Sequence, residues 1–137
     1  MYPEHLVAPM RADIVQGGFK ELKSASEVSE TMKEKGTTLV FINSVCGCSA
    51  STARPGVKAA VSNSANKPNT LVTVFAGVDS EAVQKVREFT APYPPSSPSI
   101  ALFKDGELVH FVERHNIEGR SAQMIADHLG MVFEEYC

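Results

Sequence analysis

The chain has 137 residues, 43% of them hydrophobic and 21% charged, with 13 basic and 16 acidic side chains and a formal charge of -3. That length holds one hydrophobic core and is short for two, and the composition is that of a folded globular chain rather than a disordered or fibrous one. The charges are interspersed, so no basic stripe attracts nucleic acid, and no apolar run reaches the ~20 residues of a membrane-spanning helix.

Residues 3–17 read as a helix. Leu6, Met10 and Ile14, with Val7 beside them, share a face at helical spacing, and Gly17-Gly18 ends the run. Pro9 lies inside this pattern and is expected to break or bend it. Residues 19–22 form a short link. Ser24 or Ser26 caps a second helix with Val28 and Met32 inward, stopping near Gly36. Residues 38–43 are apolar and rich in β-branched side chains, which marks a buried strand. The segment Cys46-Gly47-Cys48 follows, and then a helix over residues 50–63. After a polar loop come a second buried strand at 71–76 and a helix at 81–89, capped by Asp79 or Ser80, with Val83, Val86 and Phe89 inward. Residues 91–98 hold four prolines and read as an irregular loop. A strand at 99–103, the hairpin turn Asp105-Gly106 and a returning strand at 107–112 follow. The last helix runs from Ser121, its N-cap, to Tyr136, with Met124, Ile125, Leu129 and Phe133 at helical spacing.

The order α, α, β, α, β, α, β, β, α predicts an α/β fold. A central mixed sheet of at least four strands has helices on both faces, strands joined by helices being parallel and the last pair an antiparallel hairpin. No linker interrupts the chain. It reads as a single domain, 1–137, with a helical extension over 1–35 and a core over 37–137. Met1-Tyr2-Pro3-Glu4-His5 shows no basic region followed by an apolar stretch, so no export signal is expected and the placement is cytoplasmic. There, close-spaced cysteines are more often catalytic or metal-binding than structural, and an odd number, three, argues against a disulfide framework.

Cys46 and Cys48 stand where a strand hands over to a helix, a place where free N–H groups and the positive end of the helix dipole stabilise a thiolate. Three readings fit the spacing: a redox pair, two ligands of a metal-binding or metal-delivery module completed by His110, His115 or a second chain, or two packed thiols. The position favours redox chemistry. Cys46 is then the more exposed and more acidic thiol and the nucleophile, and Cys48 the resolving thiol. Gly47 is expected to supply the backbone freedom of the tight loop. Arg54 lies about two turns beyond Cys46, as a surface arginine or a group acting on the thiol or its ligand. Pro55 is expected to bend the helix and free the Ser51 carbonyl.

The chain resembles the bacilliredoxins, small thioredoxin-like proteins with a Cys-Gly-Cys active site. The likeness runs through Val7-Ala8-Pro9-Met10-Arg11, Asn43-Ser44-Val45-Cys46-Gly47-Cys48 and Ala53-Arg54-Pro55. It continues through Val74-Phe75-Ala76-Gly77 with Asp79, Pro95-Ser96-Ser97-Pro98-Ser99, His110-Phe111, Arg114-His115, Ile117-Glu118-Gly119 and the terminal Cys137. Ser49-Ala50-Ser51 departs slightly, since members often carry smaller or glycine-containing residues there. The resemblance implies a thioredoxin-like fold and a thiol-disulfide oxidoreductase that removes bacillithiol, a low-molecular-weight thiol, from mixed disulfides on client proteins. Weak disulfide isomerase activity is implied too. It implies no bound cofactor, bacillithiol as the thiol co-substrate, and a flavin-dependent disulfide reductase as a partner. It also makes Pro98, after Ser97, a cis-proline facing the substrate, with Gly47, Arg54 and the loop at His115 beside it.

Overall fold

The computed structural model describes residues 2–137. Among them the strands form one five-stranded sheet in the order β1-β3-β2-β4-β5. The strands are β1 (Lys20–Glu21), β2 (Thr37–Asn43), β3 (Thr70–Phe75), β4 (Ser99–Lys104) and β5 (Glu107–Val112). β2 is buried along its whole length at the centre, which is why it reads as an unbroken apolar run. Its alternate residues serve opposite faces. Leu39 and Phe41 pack with Ile14, Val57, Ile125 and Phe133, and Val40 and Ile42 pack with Val28, Val83 and Val86. The first face is therefore covered by α1 (Glu4–Gln16), α3 (Arg54–Asn63) and α6 (Ala122–Tyr136), the second by α2 (Ala25–Met32) and α4 (Ser80–Thr90). A four-residue turn of helix, α5 (Arg114–Ile117), stands where the sequence predicts a loop.

The segment read as a link, residues 19–22, contributes the edge strand β1, parallel to β3. β2 and β3 are parallel, as their connecting helix α3 requires. β4, also reached through a helix, runs antiparallel to β2, with Ser99 beside Ile42. The reason is the connection. Residues 91–98 extend the crossover by eight positions, a reach of about 26 Å, enough to carry the chain back to the end of the sheet at which β3 finished. The Asp105-Gly106 turn forms as predicted, both residues adopting positive φ (52° and 82°).

Helix α1 passes through Pro9 without a break. Its buried face is Val7, Arg11 and Ile14, whereas Leu6 points outward. Those three anchor the helix, so packing outweighs the one hydrogen bond that Pro9 cannot donate. Arg11 is 7% exposed and is held by Glu4 (3.0 Å), Glu21 (2.8 Å) and both oxygens of Asp79 (2.9 and 3.0 Å). Asp79 is thus committed to Arg11 and makes no side-chain cap for α4, contrary to the sequence expectation. Ser24 and Ser121 do cap α2 and α6, accepting from the Glu27 and Met124 N–H groups. Met124 itself faces outward, half exposed.

Candidate active site

The site is built on Asn43, the last residue of β2, 1% exposed. Its Oδ1 accepts from the Ser44 N–H (2.9 Å), the Ser49 hydroxyl (3.2 Å) and Nη1 of Arg54 (2.9 Å), and its Nδ2 donates to the Met10 carbonyl of α1 (3.2 Å). One amide therefore fixes both ends of the turn that carries the thiols. The Ser44 hydroxyl accepts from the Cys46 N–H at 3.0 Å. The Cys46 carbonyl accepts from Ser49 and Ala50 N–H, opening the helical run. That run begins as a π-helical turn over Ser49–Ala53, with the Arg54 N–H bonded to the Ser49 carbonyl, and becomes α3 only afterwards. Pro55, which has no N–H for the Ser51 carbonyl, accounts for the widened turn just before it, where the sequence reading expects a bend.

Cys46 and Cys48 are free thiols whose sulfurs lie 2.8 Å apart, in hydrogen-bonding contact. Their acidities diverge. The Cys46 thiol is held below its ordinary value first by the Cys48 S–H, then by the Cys48 N–H, the positive charge of Arg114 and the Ser49 N–H, against the opposing effect of burial. Burial, the bond to Cys46 and its negative charge push the Cys48 thiol up to about 11. Of the two, Cys46 ionises first, and Cys48 keeps its proton beside it.

Nη2 of Arg114 lies 3.2 Å from the Cys46 sulfur, its Nε pairs with Glu118 at 2.8 Å, and its Nη1 reaches the Ser97 carbonyl at 3.4 Å. The Ser97–Pro98 peptide is cis. Ser97 lines the groove of about 450 Å³ that opens at Cys46, and Pro98 is buried just behind it.

Three expectations are corrected. Arg54 does not lie on the surface and does not line the groove: at 4% exposed it is buried behind the thiol turn, bonded to Asn43, the Ser44 carbonyl (3.1 Å), Ser49 (3.2 Å) and Asp13 (3.2 Å). Its hydrogen-bond network was invisible in the sequence because its partners come from three separate segments. His115 is exposed and stands outside the groove, and its neighbour Arg114 faces the thiol instead. A short helix starting at residue 114 sets that orientation, with Glu113 and Asn116 forming a reciprocal cap. Gly47 is exposed, keeps φ outside the left-handed region, and leaves room for a side chain, so neither conformation nor space demands glycine in this thiol form.

The family model described as Disulphide isomerase matches residues 2–137. A bacilliredoxin of Cytophaga hutchinsonii is 63% identical over 135 residues, covering 98% of this chain and 99% of that protein. The chain belongs to the bacilliredoxin family. A second relative, a bacilliredoxin of Geobacillus kaustophilus, is 50% identical over 137 residues, covering 99% of this chain and 94% of its own. Among solved structures, oxidised thioredoxin from Plasmodium falciparum superposes with a TM-score of 0.58 at 17% identity, covering 86% of this chain and 97% of that one. Mitochondrial thioredoxin 3 from Saccharomyces cerevisiae does so with a TM-score of 0.57 at 13% identity, covering 86% and 95%. The fold is thioredoxin-like, and the protein is a thiol-disulfide oxidoreductase. Among the described residues no helix is long and apolar enough to cross a membrane.

Proposed function

We propose that this protein removes bacillithiol from mixed disulfides on client proteins. The reading is carried by one observation: two thiols of divergent acidity 2.8 Å apart, the more acidic one opening onto a groove that Ser97 also lines. The Cys46 thiolate attacks the bacillithiol sulfur of the mixed disulfide. A Cys46–bacillithiol bond forms, the client–bacillithiol bond breaks, and the client leaves as a thiolate that takes a proton from water. Cys48 must then lose its proton and attack the Cys46 sulfur, releasing bacillithiol as a thiolate and leaving a Cys46–Cys48 disulfide. A second bacillithiol can release the cap instead, leaving as bacillithiol disulfide. The protonated state of Cys48 keeps it from competing in the first step, since the thiolate is the attacking species.

Ser97, which lines the groove, meets the client segment next to the reacting sulfur, with Gly47, exposed between the two cysteines, as a further contact. A flavin-dependent disulfide reductase closes the cycle in a reducing cytoplasm, bacillithiol is the thiol co-substrate, and no bound cofactor takes part. The same exchange run between two protein disulfides is a weak isomerase activity, which accords with the description of the matching family. Among the described residues no group of three or more His, Cys, Asp or Glu could hold a metal ion.

The test compares one client protein capped with bacillithiol and the same client capped with glutathione. Faster release of bacillithiol is expected, with Cys46→Ser inactive and Cys48→Ser accumulating a Cys46–bacillithiol adduct seen by mass spectrometry. Equal rates on both caps would remove the bacillithiol assignment, and an adduct trapped at Cys48 would reverse the roles of the thiols.

A further inference from the structure

The groove that Ser97 lines is also lined by Arg87, from the last turn of α4. Its Nε is buried and has no hydrogen-bond partner among the described residues. No carboxylate pairs with it there either, whereas Arg11, Arg54 and Arg114 each have one. Burial alone acts on its charge and makes the guanidinium easier to deprotonate. A buried N–H without an acceptor is unfavourable, and folded proteins retain few of them. The C-terminal turn of a helix accommodates positive charge, but that does not satisfy a buried N–H. Arg114, exposed at the mouth, brings a second guanidinium to the same groove, next to Cys46.

We propose that Arg87, together with Arg114, binds a carboxylate carried by the small thiol that caps the substrate disulfide. The inference rests on the capped-substrate reading above and specifies the chemistry of the cap. After attack by Cys46 the cap, rather than the client, stays bonded to the sulfur, so the cap occupies the groove. A volume of about 450 Å³ lies within the range of small-ligand sites. A guanidinium presents its donors as a planar fork, which matches a carboxylate and discriminates against a neutral or cationic cap. Arg87 and Arg114 are the two cationic side chains on the groove, and no carboxylate lines it.

The experiment uses two probes with the same neutral leaving group: the 4-pyridyl mixed disulfides of mercaptosuccinate, with two carboxylates, and of 2-mercaptoethanol, with none. The Cys46 thiolate attacks the cap sulfur, the cap–pyridyl S–S bond breaks, and pyridine-4-thiolate leaves with the electron pair, takes a proton and is read by absorbance as the thiopyridone. Single-turnover kcat/KM is measured for the wild type, Arg87→Gln and Arg87→Lys. Arg87→Gln is expected to lower the rate on the mercaptosuccinate probe by about tenfold or more, the worth of one hydrogen bond to a charged group. The mercaptoethanol rate stays unchanged, Arg87→Lys recovers part of the loss, and raised salt shrinks the preference. An unchanged ratio of the two rates in Arg87→Gln, or an equal fall on both, overturns the assignment. If the charge preference holds while bacillithiol is released no faster than glutathione, the anion site stands and the bacillithiol assignment falls.

Discussion

Arg54→Met separates a buried support from a substrate contact. Methionine replaces most of the stem but none of the donors. The bonds from Nη1 to Asn43 Oδ1 and to the Ser44 carbonyl, at 2.9 and 3.1 Å in a buried setting, are lost. Hydrogen bonds from charged donors contribute about 1.5–3 kcal/mol each. Asn43 Oδ1 keeps the Ser44 N–H and the Ser49 hydroxyl, so its share of the loss falls at the low end. Asp13 keeps Lys58 at 2.7 Å and is partly exposed, so losing Arg54 matters less there. The total is about 3 kcal/mol, which for a chain of this size lowers Tm by roughly 10 °C. Calorimetry or thermal unfolding followed by circular dichroism measures it, with KM for the capped client determined well below the transition. A Tm within about 2 °C of wild type together with a raised KM would refute the buried-support argument and restore Arg54 as a binding residue.

Arg114→Gln removes one of the influences holding the Cys46 thiol acidic, so the pH midpoint of Cys46 alkylation by iodoacetamide is expected to move upward; a midpoint that stays put contradicts the charge contact seen at 3.2 Å. Gly56 lies where α3 meets α6, and an added Cβ would sit 2.7 Å from Ile125 Cβ and 3.0 Å from the Ala122 carbonyl oxygen. Overpacking makes Gly56→Ala about 1–2 kcal/mol less stable, even after the better helix propensity of alanine, as read from the urea midpoint at constant m; a stabilised variant would show that the helices separate freely. His110, bonded through Nε2 to His128 at 2.9 Å, is held below its ordinary pKa of 6.5 by burial and by His128. The unfolded chain then binds a proton at higher pH than the folded one, so this contribution leaves stability intact above that value and lowers it as pH falls through it. The drop in Tm between pH 7.5 and 5.5 should be smaller in His110→Gln than in the wild type, and an identical drop would exclude the imidazole as its source.

Local chemistry carried much of the architecture. Apolar runs in β2, β3 and β4, the Asp105-Gly106 turn and the Ser24 and Ser121 caps are short-range signals, and each lies where sequence spacing puts it. The same holds for the thiol pair at a strand-to-helix junction, whereas Pro55 is preceded by a widened turn rather than the expected bend. β1 is two residues long and leaves no periodic trace. The direction of β4 depends on how far a proline-rich loop can carry the chain, a property of the whole connection.

The surroundings of the thiols belong to the tertiary structure. Whether an arginine meets solvent, a carboxylate or a sulfur depends on segments distant in sequence. Arg11 reaches Asp79 across 68 positions, and Arg114 reaches Cys46 across the same separation. No spacing rule distinguishes Arg54, enclosed behind the turn, from Arg114 at the sulfur or from Arg87 unpaired in the groove. All three guanidiniums carry the same charge and the same reach. By itself the sequence determined that two cysteines meet at the start of a helix; only the fold decided which cations surround them, because electrostatic partnership depends on distance and burial rather than order along the chain.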